Sequence, residues 1–273
     1  MLTMPPSPAI APHPSSERTD PPPRRQRRRI SVLGAPIDTL TWDDTCQTLS
    51  HWATRRESRY VCICNVHSVV SAHDDPAFRR VIEQADLATP DGAPVAWMLR
   101  RLGEPGQTRI NGPDLMLRYC ALAAQRGESI FLYGNTPDTL AALQTSLPRQ
   151  FPGLRIAGTY SPPFRPLTPQ EDEEIVRLIN QSGAGTVWVS LGCPKQERWM
   201  AEHRGRVQAV MIGVGAAFDF HCGKISRAPQ WMQEHGLEWL HRLCSEPRRL
   251  AKRYFVTNTL FLLRAGRQLL TRR

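Results

Sequence analysis

The chain has 273 residues, of which 41% are hydrophobic, which is enough to bury a sizeable core and too many for an intrinsically disordered protein. Its formal charge of +10 is concentrated at the two ends: residues 1–30 hold six arginines against two acidic residues, and residues 241–273 hold nine basic residues against one. The remaining body therefore has a formal charge of −2, which argues against a nucleic-acid-binding protein.

The N-terminal segment, residues 1–29, has the composition of a disordered tail. It contains eight of the 24 prolines, and Pro21-Pro22-Pro23 is followed by five arginines, so the segment has little apolar surface to bury. It also lacks the continuous apolar region of a secretory signal, and we therefore expect a cytoplasmic protein.

From Ile30 onward, short apolar or β-branched runs alternate with longer segments of helical period, which is the pattern of an α/β fold with a mainly parallel sheet. The predicted strands are Ile30–Leu33, Tyr60–Cys64, Leu87–Thr89, Ser129–Tyr133, Leu154–Thr159, Thr186–Leu191 and Val207–Gly213. The predicted helices between them are Trp42–Thr54, Ala77–Ala85, Ala93–Leu102, Asp114–Arg126, Pro137–Leu147, Pro169–Asn180 and Lys195–His203.

Beyond Pro229 the strand pattern stops, and helical segments are predicted at Gln230–His235, Leu237–Ser245 and Pro247–Leu270. The longest apolar stretch, Tyr254–Leu263, is much shorter than the roughly 20 residues that span a bilayer. The sequence thus predicts three parts: a tail over residues 1–29, a core over residues 30–235 and a basic helical appendage over residues 236–273.

Polar and glycine-rich segments follow five of the predicted strands. Because ligands bind at the C-terminal ends of strands in parallel α/β sheets, these segments are candidate site residues. They are Asn65-Val66-His67, Pro90-Asp91-Gly92, Gly134-Asn135-Thr136, the run from Gly192 to Glu197 and the run from Gly213 to Asp219.

The glycines and Asp91 each have two interpretations. Gly134 and the pair Gly213/Gly215 would let backbone N–H groups approach a diphosphate, but ordinary tight turns explain such glycines equally well. Asp91 is either a carboxylate within reach of a substrate or one residue of a Pro-Asp-Gly turn.

The remaining candidates also allow structural explanations. Arg109 and Asp114 bracket Asn111-Gly112-Pro113, where Asp114 can serve as a helix cap. Gln196 and Glu197 open a predicted helix, and their structural alternative is a surface-facing first turn.

The sequence shows no pattern typical of a metal site. The eight histidines are dispersed without H-x-x-x-H spacing, and no D-x-D follows a strand. A metal-independent mechanism acting on a diphosphate needs cationic side chains, and the appendage supplies Arg242, Arg248, Arg249, Lys252 and Arg253.

Taken together and in this order, these segments resemble the WecG/TagA/CpsF glycosyltransferases, glycosyltransferase family 26. The resemblance covers about residues 30–263. It rests on Asn65-Val66-His67, the run from Ala85 to Gly92, the run from Arg109 to Leu115, the run from Phe131 to Asn135, the run from Gly192 to Glu197, the run from Gly213 to Asp219, Arg227-Ala228-Pro229 and Gly236-Leu237-Glu238-Trp239.

The resemblance implies a Rossmann-like core that transfers a sugar, with inversion and without a metal or other cofactor, from a UDP-sugar to a saccharide carried on polyprenyl diphosphate. Asp91 matches the proposed catalytic base. The positions that match the nucleotide-sugar pocket are Asn65, Arg109, Gly134, Asn135, Gln196 and Asp219. One departure is Ile63, where many relatives have Thr, so a hydroxyl near the reacting centre is missing. Among the family's pathways we favour exopolysaccharide biosynthesis.

The appendage is expected to act at the inner face of the cell membrane. Its arginines nearest the core are predicted to close over the substrate diphosphates, and those farther along to meet anionic headgroups. The first group is Arg242, Arg248, Arg249 and Arg253, and the second is Arg264, Arg267, Arg272 and Arg273. The alternatives are a helix packed on the core or an interface between two copies of the chain, since apolar stripes are usually buried.

Two other functions compete with glycosyl transfer. A nicotinamide-dependent oxidoreductase on this fold expects G-x-G-x-x-G after the first strand, whereas here that strand leads into Gly34-Ala35-Pro36, and Phe218 replaces the third glycine of the later run. A non-catalytic module that binds membranes or nucleic acid is favoured only by the basic ends, and the near-neutral body argues against nucleic acid.

Overall fold

The computed structural model describes residues 28–271, without the side chains of Glu234, Arg249 and Arg253. The strands are β1 (Arg28–Val32), β2 (Ala35–Thr39), β3 (Arg59–Cys64), β4 (Leu87–Pro90), β5 (Ser129–Gly134), β6 (Arg155–Tyr160), β7 (Thr186–Ser190) and β8 (Val210–Gly213). β1 and β2 form an antiparallel hairpin. The other six form one sheet in the order β4-β3-β8-β7-β5-β6, with every neighbouring pair parallel.

Helices connect the strands and continue to the C-terminus. They are α1 (Trp42–Thr54), α2 (Val66–Asp74), α3 (Pro76–Gln84), α4 (Ala93–Arg101), α5 (Gly112–Arg126), α6 (Pro137–Gln150), α7 (Pro169–Ser182), α8 (Lys195–Glu202), α9 (Ala217–His221), α10 (Gln230–Glu234), α11 (Glu238–Ser245) and α12 (Pro247–Leu270). The predicted α/β class, with a Rossmann-like parallel sheet and a helical C-terminus, is confirmed.

Two buried clusters cover the two faces of the sheet. Side chains alternate along β5: Ile130 and Leu132 face one cluster, whereas Phe131 and Tyr133 face the other. α1, α5, α6 and α9 contribute to the first cluster, and α2, α3, α7, α8 and α12 to the second. Helices on both faces explain why the strands read as nearly continuous apolar runs.

Three elements were not predicted from the sequence. β2 contains Pro36 and Asp38, which argue against a strand, but Asp38 is fully buried and its carboxylate accepts a hydrogen bond from the Ala88 backbone at 2.7 Å. α2 and α9 begin directly after strand ends and were interpreted only as loop motifs. The predicted disorder of residues 1–27 lies outside the described residues, whereas Arg28 and Arg29, assigned from the sequence to the tail, belong to β1.

α12 packs on the core along one face. Phe261 and Ala265 are buried in the second cluster. The Gln268 side chain accepts from the Leu33 N–H at 2.9 Å and donates to the Ser31 carbonyl at 2.7 Å. The alternative of a helix packed on the core is therefore correct for this face.

The ion pairing of Arg264 corrects one expectation for the appendage. Arg264 was expected to meet a headgroup, but it pairs with Asp74 of α2 at 2.7 Å. Arg272 and Arg273 lie outside the described residues. Within residues 28–271 no helix is long and apolar enough to cross a membrane.

Candidate active site

The candidate residues gather at one edge of the sheet, because the parallel strands all end there. Asn65 follows β3, Asp91 follows β4, Asn135 follows β5, and Gly215 follows β8. The backbone joins these ends directly: the Asp91 N–H donates to the Cys64 carbonyl at 2.9 Å, and the Asn135 N–H donates to the Ser190 carbonyl at 3.0 Å.

Asp91 stands where several charged groups converge. The pKa of this carboxyl is raised to about 6, chiefly by burial and next by the nearby carboxylate of Glu238. Arg109, Arg242 and a hydrogen bond from Asn65 act in the opposite direction. Asp91 lies in the short connection between β4 and α4, but a connection alone does not account for the charged side chains that shift its pKa.

The Asn65 side chain is oriented by the helix that it caps. Its Oδ1 atom accepts from the Ser68 N–H at 3.1 Å and from the Ser68 hydroxyl at 3.3 Å, at the start of α2. With the oxygen held in this way, the amide NH₂ is the group left to donate to Asp91. Asn65 therefore combines a helix cap with a contact to the candidate base.

An ion-pair network ties the appendage to this edge of the core. The Arg109 guanidinium donates to Glu238 on α11, and the second oxygen of Glu238 lies 3.7 Å from Arg227. Arg227 in turn pairs with Asp114 at 2.6 Å. Asn111 caps α5, so Asp114 is not the cap but the first-turn partner of Arg227.

The backbone of the appendage also approaches the Asp91 loop closely. A Cβ atom added at Gly236, which has φ of +71°, would lie 2.7 Å from the Cβ of Ala93, two residues after Asp91. Glycine at this position lets α11 pack over the loop.

Gly134 and Asn135 form a tight turn after β5. A Cβ atom at Gly134 would lie 2.4 Å from the Ser190 carbonyl oxygen, so only glycine fits. Asn135 has φ of +62°, and its side-chain NH₂ donates to Asp219 at 3.0 Å. These predicted pocket residues therefore contact one another across β5 and α9.

Gln196 and Glu197 are buried, which corrects the surface-turn alternative. They are 4% and 1% exposed. The side-chain oxygen Oε1 of Gln196 accepts from the backbone N–H of Gly192 at 3.2 Å and from that of Gly215 at 3.1 Å. Gln196 thus holds together the segments that follow β7 and β8, and its predicted contact with a nucleotide-sugar stays a prediction.

The appendage arginines occupy different environments. Arg242 lies over the Phe220 ring, 5.4 Å from its centroid, and is near enough to Asp91 to lower its pKa. Arg248 is exposed in the first turn of α12, and the side chains of Arg249 and Arg253 lie outside the described residues. Among these arginines, the structure therefore brings Arg242 to the site.

Sequence reasoning did not assign three charged residues that the structure brings here. Glu238 and Arg227 lie inside two of the motifs named above but had no assigned role. The third is Lys224, whose ammonium donates to the Thr136 hydroxyl at 2.9 Å at the start of α6.

Ile63, the position at which many relatives have Thr, is buried in β3 opposite Thr89 and belongs to the core. Within the described side chains, no three His, Cys, Asp or Glu residues cluster as metal ligands would.

The sequence model of the glycosyl transferase WecG/TagA/CpsF family matches residues 30–273. The chain belongs to this family. Membership supports glycosyl transfer and not the oxidoreductase or the non-catalytic module, and it implies a nucleotide-sugar donor and a saccharide acceptor for this WecG/TagA/CpsF glycosyltransferase.

Proposed function

We propose that this WecG/TagA/CpsF glycosyltransferase moves a hexose from a UDP-sugar to a saccharide carried on polyprenyl diphosphate, with inversion and without a metal ion. The observation that carries the proposal is Asp91, a carboxyl with its pKa raised to about 6 at the ligand edge of the sheet. A base with a pKa near the working pH is well matched to removing a proton from a hydroxyl as it attacks.

In this reaction the acceptor hydroxyl oxygen forms a bond to the anomeric carbon of the donor while the bond from that carbon to the diphosphate oxygen breaks. The hydroxyl proton passes to Asp91, and UDP leaves with the electron pair of the broken bond. A single displacement of this kind inverts the anomeric configuration.

The departing diphosphate needs fixed positive charge. Arg109 and Arg242 both act electrostatically on Asp91, so they supply positive charge close to the reacting centre. Asn135 after β5, Gln196 at the start of α8 and Asp219 on α9 are assigned to the nucleotide-sugar. We assign the remaining arginines, Arg248, Arg249 and Arg253, to the diphosphate of the acceptor.

A lipid-linked acceptor requires contact with a membrane surface, and α12 offers one. The face opposite the buried Phe261 exposes Phe255, Leu262 and Leu263, which are 67–76% exposed. Exposed Arg248, Lys252 and Arg267 lie on the same helix. Apolar side chains beside basic ones favour peripheral binding to anionic lipid. We place the enzyme in exopolysaccharide biosynthesis on the inner face of the cell membrane.

Donor recognition is tested by thermal unfolding with UDP or NAD in the presence of EDTA. UDP at saturating concentration should raise the Tm, because a ligand that binds only the folded state stabilises it. NAD should leave the Tm unchanged. Stabilisation by NAD alone would contradict the proposal, and stabilisation by UDP only when a divalent cation is added would contradict its metal independence.

A further inference from the structure

Glu197 is a buried carboxyl for which the proposed mechanism has no direct use. It lies in the first turn of α8 with only 1% of its surface exposed, and burial raises its pKa. Burying a carboxylate is costly unless hydrogen bonds or an opposite charge compensate for the lost solvation. Its contacts therefore indicate what it stabilises.

The contacts of Glu197 lead to three loops at the ligand edge. Its Oε1 atom accepts from the Gln196 side chain at 2.9 Å, and the thiol of Cys193 also hydrogen-bonds to the carboxylate. The Cys193 sulfur lies 3.6 Å from the hydroxyl of Ser68, which also bonds to Asn65. The carboxylate thus connects the loops after β3, β7 and β8.

The acceptor character of Glu197 fixes which way the Gln196 amide points. Because the carboxylate takes a hydrogen bond from the amide nitrogen, the amide oxygen faces the Gly192 and Gly215 N–H groups. The reversed amide would set a nitrogen donor against two N–H donors and an oxygen against the carboxylate. Gly213 leaves room for this arrangement, since a Cβ atom there would lie 3.0 Å from the amide nitrogen of Gln196.

We propose that Glu197 is a positioning residue that orients the Gln196 amide, and through it the loops after β7 and β8, for binding of the nucleotide-sugar. The proposal rests on the proposed function for its ligand, but the orientation of the two loops does not depend on that ligand. Glu197 touches neither the donor nor the reacting atoms in this account.

The test compares Glu197→Gln with Glu197→Leu. The Glu197→Gln side chain keeps an acceptor oxygen for Gln196, so the Kd of this variant for UDP, measured by calorimetry, should stay within about threefold of wild type. Glu197→Leu has no acceptor, and its Kd should rise by about tenfold or more, the usual effect of a misplaced polar contact. Amide hydrogen exchange at Gly192 and Gly215 should be faster than in wild type in the Glu197→Leu variant and unchanged in the Glu197→Gln variant, with or without UDP. If Glu197→Leu does not fold, Glu197→Asp, which withdraws the acceptor by one methylene, replaces it.

Glu128 provides a matched control. It is 9% exposed and accepts from the Tyr119 hydroxyl at 2.6 Å at the opposite end of β5. Glu128→Leu should lower the Tm and leave the Kd for UDP unchanged. Equal UDP affinity and equal amide exchange in wild type and Glu197→Leu would overturn the role of Glu197. No UDP binding by wild type would instead overturn the proposed function, and the exchange rates would still decide whether Glu197 orients the loops.

Discussion

At the scale of single residues, the proposed chemistry depends on Asp91 and the groups around it. Burial and Glu238 favour the protonated carboxyl, while Arg109, Arg242 and Asn65 favour the ionised form, and the balance leaves a pKa of about 6. An ordinary exposed Asp would be ionised at neutral pH but would be a weaker base. The environment of Asp91 thus makes it a better proton acceptor.

Asp91→Asn should lower turnover by about 10²-fold or more, because the amide keeps the shape of the side chain but is a poor proton acceptor. UDP affinity measured by calorimetry should stay near that of wild type. The free energy of unfolding at pH 7.5 should not fall, because the folded-state pKa lies above the ordinary value of 3.8 and ionising this carboxyl costs stability as the pH rises through about 6. Near-wild-type turnover by Asp91→Asn would show that Asp91 is not the catalytic base.

The pH dependence of kcat/KM should follow the ionisation of Asp91. The base acts when ionised, so activity should be lost as the pH falls through about 6. Glu238→Gln removes a negative charge that raises this pKa, and the acid limb should therefore move to lower pH. Glu174→Gln is the control: Glu174 is exposed on α7, which packs on β6 at the opposite side of the sheet from β4, and its change should not shift the limb. An unshifted limb in Glu238→Gln would contradict the electrostatic coupling.

At the scale of secondary-structure elements, the sequence predicted the sheet better than the contacts of the appendage. Alternating apolar runs and helical periods indicated seven strands of the sheet and hairpin, and parallel pairing then placed Asn65, Asp91 and Asn135 at one edge. β2 was missed because buried Asp38 has the polarity of a loop residue, and its contacts with Ala88 of β4 and Arg29 of β1 cannot be read from the local sequence. The Arg109–Glu238 pair depends on how α11 packs over the Asp91 loop, which no local pattern encodes.

The exposed face of α12 should mediate binding to anionic vesicles. Replacing Phe255 and Leu262 together by Glu should reduce vesicle binding at least tenfold, because burying each side chain contributes about 1.5–3 kcal/mol. Both residues are on the exposed face, so the change avoids the buried Phe261 contact that a truncation of α12 would remove.

Leu178→Glu is the matched control for this prediction, because Leu178 is 42% exposed on α7. It should leave vesicle co-sedimentation unchanged. Binding by wild type should also weaken as salt is raised, since headgroup attraction is screened. Full vesicle binding by the Phe255/Leu262 double variant would show that any membrane contact lies elsewhere on the molecule.

At the scale of the whole molecule, the C-terminal appendage carries most of the positive charge and the core is near neutral. The core positions Asp91 and the strand-end loops, and α12 is anchored to it through Phe261, Gln268 and Arg264. α11 brings Glu238 and Arg242 to the same edge. The proposed transfer from a water-soluble donor to a membrane-bound acceptor requires both parts to act at this edge of the sheet.

The proposed reaction is the transfer of a sugar from a UDP-sugar to a lipid-linked saccharide. The most direct measurement incubates wild type and Asp91→Asn, in EDTA, with a panel of UDP-sugars and a polyprenyl-diphosphate-linked monosaccharide in anionic vesicles, and analyses the lipid product by mass spectrometry and NMR. The account predicts that wild type adds one sugar with inverted anomeric configuration and releases one UDP per product, while Asp91→Asn forms about a hundredfold less. Retained anomeric configuration, or UDP-sugar hydrolysis without any lipid-linked product across the panel, would contradict it.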